Sequence, residues 1–163
     1  MAKYHTGRFY PENREKYIGD NINKITYRSS WEYKLCEMCD QHPNIVFWAS
    51  ESLSIKYRHP FTKKISNYVP DFFIVYVDSR GRKYTEIVEV KPMEQANPNY
   101  AKSKKDKEAF VINQAKWETA KVYCKKKGIR FRIITEANIF NNTKYSKGIK
   151  KNRPKTRRRW HMS

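Results

Sequence analysis

With 163 residues, the chain can form one domain with a modest core, burying roughly two-thirds of its unfolded surface. Its 35 Lys and Arg against 16 Asp and Glu give a net charge of +19, which points to a polyanionic partner, while Tyr 12, Phe 8 and Trp 4 argue against a disordered chain. No apolar run approaches the roughly 20 residues of a membrane span, residues 1–10 lack a secretory signal core, and three cysteines suit a reducing compartment, so a cytosolic nucleic-acid binder is expected.

Residues 1–26 are polar, contain Gly7, Pro11 and Gly19, show no clear period and read as an extended arm. Helical spacing begins at Ser29, a suitable N-cap, with Trp31, Leu35 and Cys39 on one face and Pro43 closing the segment. Residues 45–57 read as a strand whose end alternates, placing Glu51, Leu53, Ile55 and Tyr57 opposite Ser52, Ser54 and Lys56. Residues 68–77 are apolar on both faces, as in a central strand covered by helices. Asp78-Ser79-Arg80-Gly81 forms a turn into a strand over residues 83–90. After a loop marked by Pro92 and Pro98, a helix ends at Lys125-Lys126-Lys127-Gly128, with Asn113 as a plausible N-cap for its last half. Residues 129–134 are the last strand, giving the order α-β-β-β-α-β and an α/β fold. Residues 144–163 hold nine Lys or Arg and no acid, and are expected to stay disordered until they meet phosphate.

Chemistry concentrates in two strands. Val69-Pro70-Asp71-Phe72-Phe73 puts a carboxylate into an apolar run, and Glu89 and Lys91, two apart, share a face. A short hairpin pairs these strands antiparallel and can bring Asp71 beside Glu89, a hard-oxygen site suited to Mg²⁺. A metal there lowers the pKa of a bound water, and Lys91 supplies positive charge where negative charge develops. The bland alternative makes these residues a solvated strand end. It leaves unexplained why Pro70 and the carboxylates interrupt the most apolar strands of the chain.

Pro70-Asp71 followed by Glu89-Val90-Lys91, in α-β-β-β-α-β order, resembles the PD-(D/E)xK nuclease superfamily. A wider string is similar to the head-completion nucleases of T-even-type tailed phages. It comprises residues 27–32, Ser50-Glu51, Glu89-Val90-Lys91-Pro92, Asn113 with Lys116-Trp117, and residues 128–136. The likeness spans about residues 15–140, and transposon-end-cutting endonucleases share a similar domain. It implies a single nuclease-like domain over residues 27–143, a mixed sheet flanked by helices, between a basic N-terminal arm and a C-terminal tail. It further implies a Mg²⁺-dependent deoxyribonuclease, with Mn²⁺ an acceptable substitute, acting late in phage head completion after DNA packaging. The expected partners are DNA and other head or portal-vertex proteins, in the host cytoplasm or incorporated in the virion.

On this reading Asp71, Glu89 and the Val90 carbonyl hold the metal, Lys91 stabilises charge, and Glu32 faces the site. Gln114 and Lys116 orient the phosphate, while Lys150, Lys151, Arg153, Arg157, Arg158 and Arg159 grip the backbone. Each has a plainer rival: Ser29-x-x-Glu32 is a capping box, Glu51 shares a face with Leu53 and Ile55, and Lys116 can belong to a solvated face beside Trp117. Cys36-x-x-Cys39-x-x-His42 lacks an evident fourth zinc ligand and reads as small core residues. No Gly-rich phosphate loop implies a nucleotide cofactor. The rival from another class is a non-catalytic DNA-binding structural protein of the phage head or neck.

Overall fold

The computed structural model describes residues 6–135; the basic tail and its six named residues lie outside that range. Eight strands and three α-helices are present among the described residues. The central sheet has the order β3-β6-β7-β8, formed by β3 (Ile45–Ser50), β6 (Phe72–Val77), β7 (Lys83–Val90) and β8 (Arg130–Ile134). The first two pairings are antiparallel and β7–β8 is parallel, so the sheet is mixed as expected. Helix α1 (Ser30–Gln41) precedes the sheet, and α3 (Lys104–Lys127) makes the crossover that a parallel β7–β8 pair requires. Its C-terminus is set by Gly128, whose φ of 70° is the left-handed cap that glycine adopts without strain.

The alternation of β6 and β7 sorts their side chains into two cores. Phe72, Ile74, Tyr76, Val88 and Val90 pack with Trp48 and with Leu35, Cys36 and Cys39 of α1. Ile87 packs on the opposite face with Trp117, Ala120 and Cys124 of α3. Trp48 and Trp117 are at most 2% exposed, and large apolar side chains buried to this degree contribute roughly 1.5–3 kcal/mol each.

Five expectations need correction. Residues 6–26 are not an extended arm: β1 (Gly7–Arg8) pairs with β2 (Thr26–Tyr27), and Phe9, Tyr17 and Ile25 enter the first core. Single aromatics do this anchoring, Tyr17 meeting Trp48 edge-on at 4.7 Å, so no period betrays it. Lys16 Nζ also donates to the Asp40 and His42 carbonyls at 2.9 Å, closing the C-terminal end of α1.

The strand expected over residues 45–57 breaks at Glu51, whose φ is 49°, and resumes as β4 (Ile55–Arg58). The run over 68–77 likewise breaks around Pro70, so β5 (Ile65–Tyr68) pairs with β4 in a separate two-stranded ribbon. Asn113 is not a cap. It is buried inside α3, which starts nine residues earlier behind Ser103, whose hydroxyl accepts from the Asp106 amide at 3.0 Å. The loop after β7 also contains a short helix, α2 (Met93–Ala96).

Candidate active site

Asp71 immediately precedes β6, at the end of the sheet where three strands converge. Phe72 sits opposite Val88 on one side and Ser50 on the other, so one further step places Asp71 between Glu89 and Glu51. Hydrogen bonds fix both approaches. The Val90 amide donates to Asp71 Oδ2 at 2.7 Å, and the Glu51 amide donates to the Asp71 carbonyl at 3.0 Å. The left-handed backbone at Glu51 leaves the strand alternation that would have grouped its side chain with Leu53 and Ile55. One carboxylate oxygen from each of Glu32, Glu51 and Asp71 then lies within 4.8 Å of the others.

Glu32 reaches this cluster from the first turn of α1. Its amide donates to the Ser29 hydroxyl at 3.1 Å, but its carboxylate accepts from the Arg28 amide at 3.1 Å rather than returning to Ser29. Half of a capping box therefore coexists with a place in the acidic cluster. Glu89 is 4% exposed and stands apart from that trio: the Tyr68 hydroxyl donates to Oε1 at 2.8 Å and Lys91 Nζ lies 3.4 Å from Oε2.

Lys116 lies 5.8 Å from the ring centroids of both Tyr57 and Tyr68. Burial, and then the charge on Lys91, lowers its pKa, while Glu89 and Asp71 oppose that shift. Gln114 is half-buried and makes no hydrogen bond to these carboxylates among the described residues. At Val90, the amide rather than the carbonyl holds Asp71.

Burial raises the Asp71 pKa well above the usual carboxylate range, and Glu89 and Glu32 add repulsion. Burial also raises Glu32, against the Arg28 amide, and Glu89, against Lys91 and Tyr68. Crowded, desolvated carboxylates are unfavourable as free anions and suit a compact cation. Oxygen-only donors favour Mg²⁺ or Mn²⁺ over softer metals. Arg28 meets Glu51 in a forked ion pair at 2.9 and 3.1 Å and partly offsets the negative charge from the rim.

Sequence reading left Glu51 open and missed Arg28 and Tyr68. A signal for Glu51 was available in Ser50, Ser52 and Ser54, which weaken the strand around it. Cys36 and Cys39 are fully buried in the first core, and the cluster contains no sulfur.

Comparison with known proteins identifies the family. Residues 42–136 match the family model described as TnsA-like endonuclease N terminal, a range that contains Glu51, Asp71, Glu89, Lys91 and Lys116 but starts after Glu32. The chain is also similar to the head completion nuclease of Enterobacteria phage T4, 34% identical over 145 residues that cover 83% of this chain and 93% of that protein. Both levels of the resemblance read in the sequence are thereby borne out.

Proposed function

Because this chain belongs to the TnsA-like endonuclease N-terminal family and is a relative of the phage head completion nucleases, we propose that it hydrolyses DNA phosphodiesters at the Asp71-centred cluster. The observation that carries the reading is the meeting of the Glu32, Glu51 and Asp71 oxygens within 4.8 Å, with Glu89 and Lys91 alongside. A structural protein gains nothing from crowding mutually repelling, half-buried carboxylates.

In this proposal Glu32, Glu51 and Asp71 hold Mg²⁺ or Mn²⁺, with Glu89 and the Val90 carbonyl as the remaining candidate ligands. Such an ion supplies a water of lowered pKa and neutralises phosphate charge. Glu89, pinned by Tyr68, aims the Lys91 ammonium at the place where negative charge develops on the phosphate oxygens. Lys116 adds positive charge behind it and steers the scissile phosphate inward.

The name of the T4 relative supports a role in head completion. The proposal adds that the protein acts late, after DNA packaging, in the host cytoplasm or virion, with head or vertex proteins as partners. No helix among the described residues is long and apolar enough to cross a membrane. The test is to incubate purified protein with linear, circular, flapped and single-stranded DNA in Mg²⁺ or EDTA. Cleavage that requires the divalent ion is expected. Tight binding with no cutting of any substrate would favour the structural head protein instead.

The basic tail is proposed to clamp DNA through Lys150, Lys151, Arg153, Arg157, Arg158 and Arg159. Deleting residues 144–163 is expected to flatten the dependence of log affinity on log salt by about 0.9 for every duplex phosphate that is no longer neutralised. A slope unchanged by the truncation would reduce the tail to a solubility element.

A further inference from the structure

The ribbon inserted between the metal-site residues carries its own charge pattern. Residues 52–70 contain Lys56, Arg58, Lys63 and Lys64 and no Asp or Glu, in a chain with 16 acids. All four basic side chains are exposed. The ribbon is two-faced: Ile55, Tyr57 and Tyr68 pack inward with Trp117, which turns Lys56, Arg58, Ile65 and Asn67 outward. An exposed basic face is ordinarily just a solvated one, and two further observations argue against that here.

First, the tip is an ordered turn that displays an aromatic ring. His59 Nδ1 accepts from the Phe61 and Thr62 amides at 3.2 and 3.3 Å, and the Thr62 hydroxyl accepts from the Lys64 amide at 3.3 Å. Arg58 also donates to the Lys63 carbonyl at 2.7 Å. On this scaffold the Phe61 side chain lies against the His59 ring at 6.0 Å and still projects with 54% exposure, which leaves an aromatic surface open to a partner beside the basic residues. Much of the entropy cost of ordering the tip has been met before any partner arrives.

Second, the ribbon is rooted in the site. Glu51 lies just before it, Asp71 just after it, and Tyr68 on its inner face bonds Glu89. Whatever grips the ribbon is thereby placed relative to the carboxylates.

We propose that the β4–β5 ribbon is a second DNA-binding element, in which Lys56, Arg58, Lys63 and Lys64 contact duplex phosphates and Phe61 stacks on a base. A two-stranded ribbon fits the major groove of B-form DNA, about 12 Å wide. Apolar side chains of minor-groove binders are used as wedges between base steps, and the exposed ring at the ribbon's tip offers the same chemistry. The inference rests on the nuclease reading for its ligand but concerns affinity, so it is tested without cutting.

Binding of a labelled duplex is measured in EDTA over a range of salt. It compares the wild type, the ribbon variant K56Q/R58Q/K63Q/K64Q, and a charge-matched control, K121Q/K125Q/K126Q/K127Q. The control residues lie toward the C-terminal end of α3, and β8 then begins with Arg130 opposite Glu86, at the sheet end away from Asp71. The ribbon variant should bind at least about tenfold more weakly near physiological salt, with a slope reduced by about 0.9 for every phosphate the ribbon no longer neutralises. The control should change little. F61A should lose several-fold in affinity with its salt slope retained, as expected for an apolar wedge whose stacking gain is partly offset by unstacking the duplex. Phe61 is exposed, so a thermal melt near that of the wild type separates this loss from unfolding. Ribbon and control variants with equal affinity losses would overturn the proposal and leave the nuclease reading standing. A wild type that neither binds nor cuts DNA would overturn both.

Discussion

Lys91→Ala is expected to lower Mg²⁺-dependent cleavage at saturating DNA by about 10²–10³-fold or more, the usual effect of removing a preorganised positive or hydrogen-bonding group from a transition state. The protein should nevertheless fold. The Lys91 side chain is 24% exposed and, among the described residues, forms an ion pair only with Glu89, at 3.4 Å, while its backbone amide keeps the bond to the Ile134 carbonyl at 2.9 Å. Glu89 would lose its nearest cation but keep the Tyr68 hydroxyl. The informative quantity is the split between binding and turnover. DNA affinity in EDTA should change far less than the cleavage rate, because one ammonium among 35 basic residues contributes little to backbone binding. Lys91→Arg should recover part of the rate, since it keeps the charge while changing its shape and hydration. Normal cutting by Lys91→Ala would remove Lys91 from the mechanism.

The central sheet was legible because its signals are local. An apolar run and a four-residue turn defined the β6–β7 hairpin, and from that pairing the approach of Glu89 to Asp71 followed. The acidic trio itself was only partly legible. Glu51 joins it through one left-handed residue that interrupts a strand, and a binary pattern of apolar and polar residues continues straight through such a break. The N-terminal segment hides its fold for a different reason. Tyr17 and Ile25 are buried by long-range contacts with Trp48 and its neighbours, while their own surroundings in sequence are polar. Asn113 looks like a cap because asparagine favours caps. Here the lysine-rich first turns of α3 have too weak an apolar stripe to reveal that the helix has already begun at Lys104.

Asp71→Asn is expected to abolish cleavage and at the same time stabilise the metal-free protein. Asp71 is pushed well above the usual carboxylate range by burial, then by Glu89 and Glu32, with only the Val90 amide and Lys91 in opposition. Its pKa is therefore higher in the folded chain than in the unfolded one. As pH rises past the ordinary carboxylate value of about 4, the unfolded state gives up its proton first, and Asp71 disfavours folding increasingly until the folded pKa is passed. Asparagine avoids this cost, and its side-chain oxygen can still accept from the Val90 amide. At pH 8 in EDTA the variant should be more stable by roughly 1–3 kcal/mol, the usual cost of burying an uncompensated polar group. The advantage should shrink toward zero near pH 4. Divalent metal should reverse the order: a ligand at 100 times its Kd stabilises the wild type by about 2.7 kcal/mol, while the variant has lost a central metal oxygen. Protons compete with metal for the same oxygens, so wild-type cleavage should also fall as pH drops through the raised values. Thermal melts of both proteins in EDTA and in Mg²⁺, at several pH values, provide the check. Equal stabilisation of both by Mg²⁺ would place the ion elsewhere, and a metal-free variant weaker than wild type at every pH would mean that Asp71 stabilises the fold as an anion.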